Sequence, residues 1–314
     1  MVDVVLLEKA LGAYAGLAAG DALGATVEFM TEKEVAATYR VHRDIIGGGW
    51  LHLKPGQVTD DTQMALALGS AITAGEKWDL KRVAKAYVEW LRSGPMDVGN
   101  TVRRGLRRFI SDGTLCGEPA ESDGGNGAAM RNLPVILSTL WNEDLFYEQS
   151  LAQAHITHNH RLSDAGTIGL GALTRVMLLG GDMARVSRRV EAFVAEYPEF
   201  RYRPWPGRAT GYIVDTVQTV LEAFFSTDNF EDCVVKAVNR GGDADTTGAL
   251  AGQLAGAMYG IRSIPARWLR RIDPVVLDAI RKQTPALLEV ARRTESVRNF
   301  TSPLILSEKG SWKS

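Results

Sequence analysis

The sequence of 314 residues contains little cysteine and almost no net charge. Its two cysteines, Cys116 and Cys233, form no CxxC pair, which argues against a zinc cluster or a disulfide framework. The formal net charge is -1 at pH 7, whereas a nucleic-acid-binding domain usually has a strongly basic surface. No uninterrupted apolar run is long enough to span a membrane, and the first residues, MVDVVLLEKAL, lack the basic region of a signal peptide. These absences predict a cytoplasmic protein that neither binds nucleic acid nor crosses a membrane.

Apolar residues recur with helical spacing along most of the chain. Hydrophobic residues make up 45% of the sequence, which is enough for a substantial core. No stretch shows the alternation of a half-buried strand, so the pattern predicts an all-α fold. We expect one domain over residues 1–294 and a C-terminal tail over residues 295–314, where the periodicity is lost. The segment from Met30 to Pro55 is predicted to be irregular.

Glycine occurs at every fourth position in two of the predicted helices. The first series comprises Gly12, Gly16, Gly20 and Gly24, and the second comprises Gly248, Gly252, Gly256 and Gly260. Each glycine costs a helix roughly 1 kcal/mol relative to alanine. Small residues on one helical face permit a close approach of another backbone. We therefore predict that these two helices pack against each other or against shared neighbours.

Two clusters of carboxylates and hydroxyls precede apolar helical runs. The first contains Thr59, Asp60 and Asp61, and the second, GDADTT, contains Asp243, Asp245, Thr246 and Thr247. Such residues can cap a helix, because their oxygen atoms accept hydrogen bonds from free backbone amides. Paired carboxylates also repel each other unless a cation lies between them, and oxygen ligands suit one or two hard divalent cations. Both interpretations, two separate caps or one shared metal site, are open at this point.

A histidine group and a glycine-rich loop lie between these clusters. His155, His158 and His160 have no HExxH spacing, so we expect one of them, His158, to face a polar pocket instead of zinc. The loop SDGGNGAAMR, residues 122–131, precedes a predicted helix. Loops of this composition can present free amides to a phosphate group.

Six motifs, taken in order, resemble the ADP-ribosylglycohydrolase family. They are GLAAGDALGATVEF, GQVTDDTQMALALG, DVGNT, GNGAAMR, ITHNH and NRGGDADTTGALAGQLAGAMYG, which lie between Leu11 and Arg267. Four further stretches resemble the branch of this family that acts on dinitrogenase reductase, and they are EFMTEKE, GGGWLHLKPGQ, PMDVGNTVRRG and YIVDTVQTVL. The resemblance implies a single compact, orthogonal multi-helix domain and a hydrolase that cleaves the N-glycosidic bond between ADP-ribose and a protein arginine.

The resemblance also implies a binuclear metal centre of two divalent cations, Mn²⁺ or Mg²⁺. The positions that match metal ligands are Thr59, Asp60, Asp61, Asp243, Asp245 and Thr246. Asp97 and Glu28 match acidic residues with catalytic roles. The positions that match the surroundings of ADP-ribose are Asn100, Thr101, Gly125, Asn126, Gly127, Ala128, Met130, Arg131, His158 and Tyr212.

The implied target is ADP-ribosylated dinitrogenase reductase, which hydrolysis would reactivate in the regulation of nitrogen fixation. The resemblance further implies a PII-type nitrogen signalling protein and an ammonium channel as partners, with reversible membrane association through them. Two alternatives stay open: hydrolysis of another linkage, to serine or a small metabolite, and a catalytically silent ADP-ribose binder. A metal-dependent phosphohydrolase would fit the acidic clusters but not the series of motifs.

Overall fold

The computed structural model of the protein describes residues 3–295 and is built from α-helices over this range. No β-strand occurs within it, only isolated β-bridges, so the predicted all-α class is confirmed. The helices are α1 (Val4–Gly24), α2 (Glu32–Tyr39), α3 (Asp60–Thr73), α4 (Leu80–Arg92), α5 (Asn100–Asp112), α6 (Leu133–Ser138), α7 (Glu143–His155), α8 (Arg161–Leu178), α9 (Met183–Glu196), α10 (Ile213–Phe225), α11 (Phe230–Val238), α12 (Ala244–Tyr259), α13 (Ala266–Leu269) and α14 (Pro274–Arg293). Apart from Glu295, the predicted tail lies outside the described residues, and the domain limits stay a prediction.

Helices α1 and α12 form the centre of the fold and contact each other backbone to backbone. A methyl group added at Gly16 would overlap with the carbonyl oxygen of Gly252, and one added at Gly20 would overlap with that of Gly248. Gly12 contacts Gly256, whereas Gly24 contacts Ala244, so the two helices are antiparallel. The prediction that the two glycine series pack together is confirmed.

The other helices pack around this central pair. Helices α8, α10 and α11 lie against α12, while α3 and α14 lie against α1. One continuous hydrophobic core extends from Leu6 to Ala291. All eight glycines of the two series are buried, and the first turn of α12 is fixed against the last turn of α1.

The prediction of an irregular segment from Met30 to Pro55 is wrong at Glu32–Tyr39, which forms α2. Thr31 and Glu34 form a capping box at its start: Glu34 N donates to Thr31 Oγ1 at 3.3 Å and Thr31 N donates to Glu34 Oε2 at 2.7 Å. This reciprocal pair satisfies two amides that the helix leaves free. The sequence carries the signal as T-x-x-E, but the helix has only eight residues and buries only Val35.

Candidate active site

The first turns of α3 and α12 converge, although they are far apart in sequence. Thr246 Oγ1 lies 3.3 Å from Asp61 Oδ2, and Thr59 Oγ1 lies 3.2 Å from the same oxygen. Thr59 and Asp243 occupy the N-cap positions of these helices, yet neither side chain accepts a hydrogen bond from a backbone amide of its own helix. Two independent capping sites therefore do not explain these residues.

Three further carboxylates meet beside this contact. One oxygen each from Glu28, Asp97 and Asp245 lies within 4.8 Å of the others. Glu28 follows the C-terminal end of α1, Asp97 precedes α5, and Asp245 belongs to the first turn of α12. Asp60 hydrogen-bonds to Asp97 and to the backbone of Gly99, just before Asn100 and Thr101 at the start of α5. The structure thus brings together all the acidic residues that the sequence singled out.

The electrostatics of this cluster show strong mutual repulsion within a buried site. Burial, reinforced by Asp97, Asp21 and Asp243, raises the pKa of Asp60 to about 8. Burial also raises the pKa of Glu28 to about 8, although the hydrogen bond from Trp50 opposes the shift. For Asp243 the pKa rises to about 6, again through burial. The charge of Arg103 opposes the shift at Asp97, but burial outweighs it and the pKa of Asp97 is also raised.

The donor atoms of the cluster fit hard divalent cations. All of them are carboxylate or hydroxyl oxygens, which magnesium and manganese prefer. Asp61 Oδ1 is buried and has no hydrogen-bond partner within residues 3–295. A buried carboxylate oxygen without a partner is costly, and a cation would offset that cost. The site is therefore an acidic cluster of the kind that holds metal ions.

Asp21 organises this cluster, although it is not among the site residues predicted from the sequence. The side chain is fully buried at the C-terminal end of α1. Asp21 Oδ1 accepts a hydrogen bond from Thr59 N at 3.0 Å, and Oδ2 accepts one from Thr62 N at 3.2 Å. It supplies the N-terminal capping of α3 that Thr59 does not. A buried acid in a helix of alanine and glycine was the only signal in the sequence.

Trp50 is the other site residue that sequence reasoning missed. Its Nε1–H donates to Glu28 Oε2 at 2.6 Å, and its ring contacts Phe29 with 5.3 Å between centroids. The GGGW run places it there: Gly47, Gly48 and Gly49 all have positive φ angles, which allow a tight turn. Trp50 thereby fixes the orientation of the Glu28 carboxylate.

The glycine-rich loop contacts the cluster through Asp243, whereas Trp50 contacts it through Glu28. Gly125 forms an isolated antiparallel bridge with Tyr212, and Asn126 N donates to Gly211 O at 3.1 Å. The Asn126 side chain donates to Asp243 Oδ2 and, at 2.9 Å, to Thr216 Oγ1. This loop is therefore joined directly to the acidic cluster. Its Asn126 and Ala129 amides are occupied by main-chain acceptors.

Beneath the loop lies a buried polar chain that ends at His158. Arg131 Nη2 donates to Thr157 Oγ1 at 2.8 Å, and Thr157 Oγ1 lies 2.7 Å from His158 Nδ1. Burial lowers the pKa of His158 well below its ordinary value, with help from the charge of Arg131. The ring packs against Gly127, where an added Cβ would lie 2.7 Å from the imidazole.

Several predicted substrate-binding residues support the loop from within. Arg131 is fully buried and lies over the Tyr87 ring, with 4.7 Å from Cζ to the centroid. Ala128 and Met130 are also buried, whereas Tyr212 and Asn100 are exposed. Arg131 thus contacts Thr157 directly and is linked through it to His158. All the predicted substrate contacts stay predictions.

The two other histidines of this group have separate partners. His155 Nε2 lies 2.9 Å from Asp164 Oδ2, and His160 Nδ1 accepts a hydrogen bond from Leu162 N at the start of α8. The metal-ligating groups found within residues 3–295 include no histidine.

Comparisons with known proteins agree with this geometry. The model of the ADP-ribosylglycohydrolase family matches residues 3–298. The chain is 50% identical over 284 residues to an ADP-ribosyl-[dinitrogen reductase] glycohydrolase of Rhodospirillum rubrum, covering 90% of this chain and 97% of the relative. It is 31% identical to the ADP-ribosylarginine hydrolase Tri1 of Serratia proteamaculans, covering 85% of this chain and 75% of that protein.

A solved structure has the same fold. An ADP-ribosylglycohydrolase-related protein complex superposes with a TM-score of 0.80 at 34% identity, covering 91% of this chain and 99% of that one. Fold and site thus define an all-α hydrolase with an acidic centre. The chain belongs to the ADP-ribosylglycohydrolase family, and the enzyme class predicted from the sequence is confirmed.

Proposed function

We propose that this chain hydrolyses the N-glycosidic bond between ADP-ribose and an arginine of dinitrogenase reductase, the nitrogenase iron protein, and thereby reactivates it. The observation that carries the proposal is the convergence of Glu28, Asp97 and Asp245, with oxygens within 4.8 Å of one another. The relative from Rhodospirillum rubrum, 50% identical to this chain, is named for the same target protein. The intact acidic cluster disfavours a silent ADP-ribose binder.

Two divalent cations, Mn²⁺ or Mg²⁺, would be held by Thr59, Asp60, Asp61, Asp243, Asp245 and Thr246. When bound, they would supply Lewis-acid stabilisation to the ribose hydroxyls and lower the pKa of water. Four carboxylates in this set offset the four positive charges of two such ions. Asp21 and Asn126 keep this set in place, because they hydrogen-bond to Thr59 N and to Asp243.

Asp97 and Glu28 form the proposed proton-transfer pair. Hydrolysis adds the oxygen of water to the anomeric carbon, breaks the bond to the guanidine nitrogen, and moves one proton from water to the leaving group. Positive charge develops on the sugar ring during this step, and nearby carboxylates stabilise it. Burial raises the pKa of Asp97, which favours a proton on this side chain at the scissile bond. Trp50 donates a hydrogen bond to Glu28 and so orients its carboxylate.

The glycine-rich loop and His158 are proposed to bind the diphosphate. The depressed pKa of His158 keeps the imidazole neutral, so it binds through an N–H group instead of a full charge. Asn100, Thr101 and Tyr212 are proposed to complete the ADP-ribose contacts. Gly127 allows the close approach of His158 to the loop.

The experiment is release of ADP-ribose from modified dinitrogenase reductase by the purified full-length chain, with and without exhaustive chelation. We expect turnover that requires Mn²⁺ or Mg²⁺ and that falls sharply in Asp97→Asn. A serine-linked ADP-ribosyl peptide serves as the comparison substrate. Preference for the serine linkage, or full activity without divalent cations, would refute the proposal.

Regulation is proposed from the resemblance alone. A PII-type signalling protein and an ammonium channel would recruit the enzyme reversibly to the membrane. No helix within residues 3–295 is long and apolar enough to cross a membrane. Co-sedimentation of the chain with vesicles that contain the channel, with and without the PII-type protein, tests this recruitment.

A further inference from the structure

A groove with an aromatic wall opens beside Glu28, and no residue of the glycine-rich loop lines it. Its volume is about 610 Å³, and its lining includes Glu28, Phe29, Glu34, Tyr39 and Trp50. It lies between α2 and the Gly49–Trp50 turn. None of the proposed metal or diphosphate ligands lines this groove, and Glu28 is the only proposed catalytic residue that does.

Phe29 is held outward at the mouth of this groove. Its side chain is 65% exposed, and its φ angle of 64° lies in the left-handed region, which is unfavourable for a bulky residue. Main-chain bonds enforce this conformation: Phe29 N donates to Gly242 O at 2.7 Å, and Gly242 N donates to Met30 O at 2.7 Å. This backbone conformation costs free energy, and it keeps the Phe29 ring exposed beside Glu28.

Trp50 completes an exposed aromatic pair. It is 48% exposed and contacts Phe29 while it hydrogen-bonds to Glu28. Met96, which directly precedes Asp97, is 53% exposed. Large exposed apolar side chains thus stand next to both proposed proton-transfer residues. Exposed apolar surface at the edge of a site commonly marks a protein contact.

The charge of the groove decides which part of the substrate it can accept. Its lining carries two carboxylates, Glu28 and Glu34, and no lysine or arginine among the described residues. The capping-box bonds from Thr31 lower the pKa of Glu34, so this carboxylate stays ionised. The ionised Glu34 would repel a diphosphate and attract a polypeptide with a cationic side chain.

We propose that this groove receives the polypeptide segment of the target protein that carries the modified arginine, with a basic residue near that arginine facing Glu34. The inference rests on the proposed function, because it concerns the protein side of the same glycosidic bond. In this arrangement ADP-ribose binds near Asn126, and the target polypeptide runs across Phe29 and Trp50. The aromatic pair distinguishes an arginine within a protein from the free amino acid.

The test compares two substrates: ADP-ribosylated dinitrogenase reductase and free ADP-ribosyl-arginine. Phe29→Asn removes the ring and suits the left-handed backbone, since asparagine tolerates positive φ. Glu34→Gln removes the charge and retains the capping box, in which glutamine also serves. Val275→Asn, at an apolar position of α14 that is 75% exposed, is the matched control for Phe29→Asn.

We expect each groove variant to lower the ratio of kcat/KM on the protein to kcat/KM on the free substrate by about tenfold, mainly through KM. Val275→Asn should leave that ratio at the wild-type value. An equal loss on both substrates, or no loss on either, would overturn the inference. The proposed function itself fails under a different result, namely no release of ADP-ribose from either substrate by the wild-type enzyme.

Discussion

Thr246 Oγ1 lies 3.3 Å from Asp61 Oδ2, although the two residues are 185 positions apart in sequence. This contact joins the first turns of α3 and α12 and creates one site from two acidic motifs. It explains why both motifs place carboxylates at helix starts without using them as caps. The predictions below test this joint site and the structure that supports it.

Removal of one carboxylate from the cluster should abolish most activity. We expect Asp243→Asn to lower kcat by at least about 100-fold, the usual scale for loss of a charged group that stabilises a transition state. The variant should also need a higher concentration of Mn²⁺ for half-maximal activity. Asp164→Asn, whose carboxylate pairs with His155 at 2.9 Å, is the control. Unchanged kcat and metal titration in Asp243→Asn would exclude Asp243 from the metal site.

The cation-free protein should become less stable as the pH rises. Burial raises the folded pKa of Asp243 from 3.8 to about 6 and that of Asp60 from 3.8 to about 8. Between the unfolded and the folded pKa of each group, the folded chain binds more protons than the unfolded chain. The free energy of unfolding therefore decreases as the pH rises through this range. In a chelating buffer we expect the Tm to be several degrees higher at pH 6 than at pH 8.5.

Saturating Mg²⁺ provides the control for this pH dependence. Bound cations favour the ionised carboxylates, so the difference in Tm between pH 6 and pH 8.5 should shrink. A chelated protein whose Tm rises over this interval would contradict the raised pKa values.

Loss of the indole N–H at position 50 should shift the pH profile. The Trp50 hydrogen bond lowers the pKa of Glu28 against the larger effect of burial. Trp50→Phe removes the donor and keeps a ring beside Phe29, so the pKa of Glu28 should rise. If Glu28 acts as a base, the acidic limb of kcat/KM moves to higher pH. Trp205→Phe, which removes a bond to Thr219 outside the cluster, should leave the limb in place.

Thr157 should fix the tautomer of His158. Arg131 can only donate, so Thr157 Oγ1 accepts from it and directs its own proton to His158 Nδ1. This arrangement leaves Nε2 as the protonated nitrogen, facing Gly125 and Gly127. Thr157→Val should weaken ADP-ribose binding by about tenfold, the scale of one charge-assisted hydrogen bond. Thr157→Ser should retain binding, and ¹⁵N NMR of the imidazole would report the tautomer directly.

The outcome that opposes this tautomer assignment is equally specific. If Thr157→Val retained both the wild-type ¹⁵N pattern and the wild-type affinity, then His158 would be oriented by the loop alone.

Substitution in the glycine series should destabilise the whole fold. A methyl group at Gly20 would overlap with Gly248 O, and overpacking of this kind costs about 1–3 kcal/mol. That loss should exceed the gain in helix propensity, roughly 1 kcal/mol. Chemical denaturation of Gly20→Ala measures the change, with Lys85→Ala on the exposed face of α4 as control. A Gly20→Ala variant as stable as wild type would show that α1 and α12 can separate.

The sequence was sufficient for features that depend on local pattern. Helical periodicity identified the all-α class, and the four-residue spacing of glycine predicted the contact between α1 and α12. The acidic motifs indicated which residues meet, because two adjacent carboxylates are unfavourable without a shared partner. His158 lies beside Gly125 and Gly127, whereas His155 and His160 bind Asp164 and the α8 amides, and its role in the site stays a prediction.

Features that depend on tertiary contacts could not be predicted in the same way. Asp21 lies in a helix of small residues, and nothing local shows that it accepts hydrogen bonds from Thr59 and Thr62. Trp50 lies 22 residues from Glu28 in sequence, and its position depends on three positive-φ glycines. Arg131 matched a substrate position, but its burial against Tyr87 becomes evident only once α4 and the loop are placed together.

The main-chain contact between α1 and α12 has a consequence for how this scaffold can change. Two rods that touch through carbonyl oxygens and glycine Cα atoms leave no side chain whose size could be tuned to alter their spacing. The distance between the acids carried at their ends is therefore set by peptide geometry itself. New target preferences on this scaffold must arise in the peripheral segments, such as the groove beside Phe29, while the spacing of the central acids stays constant.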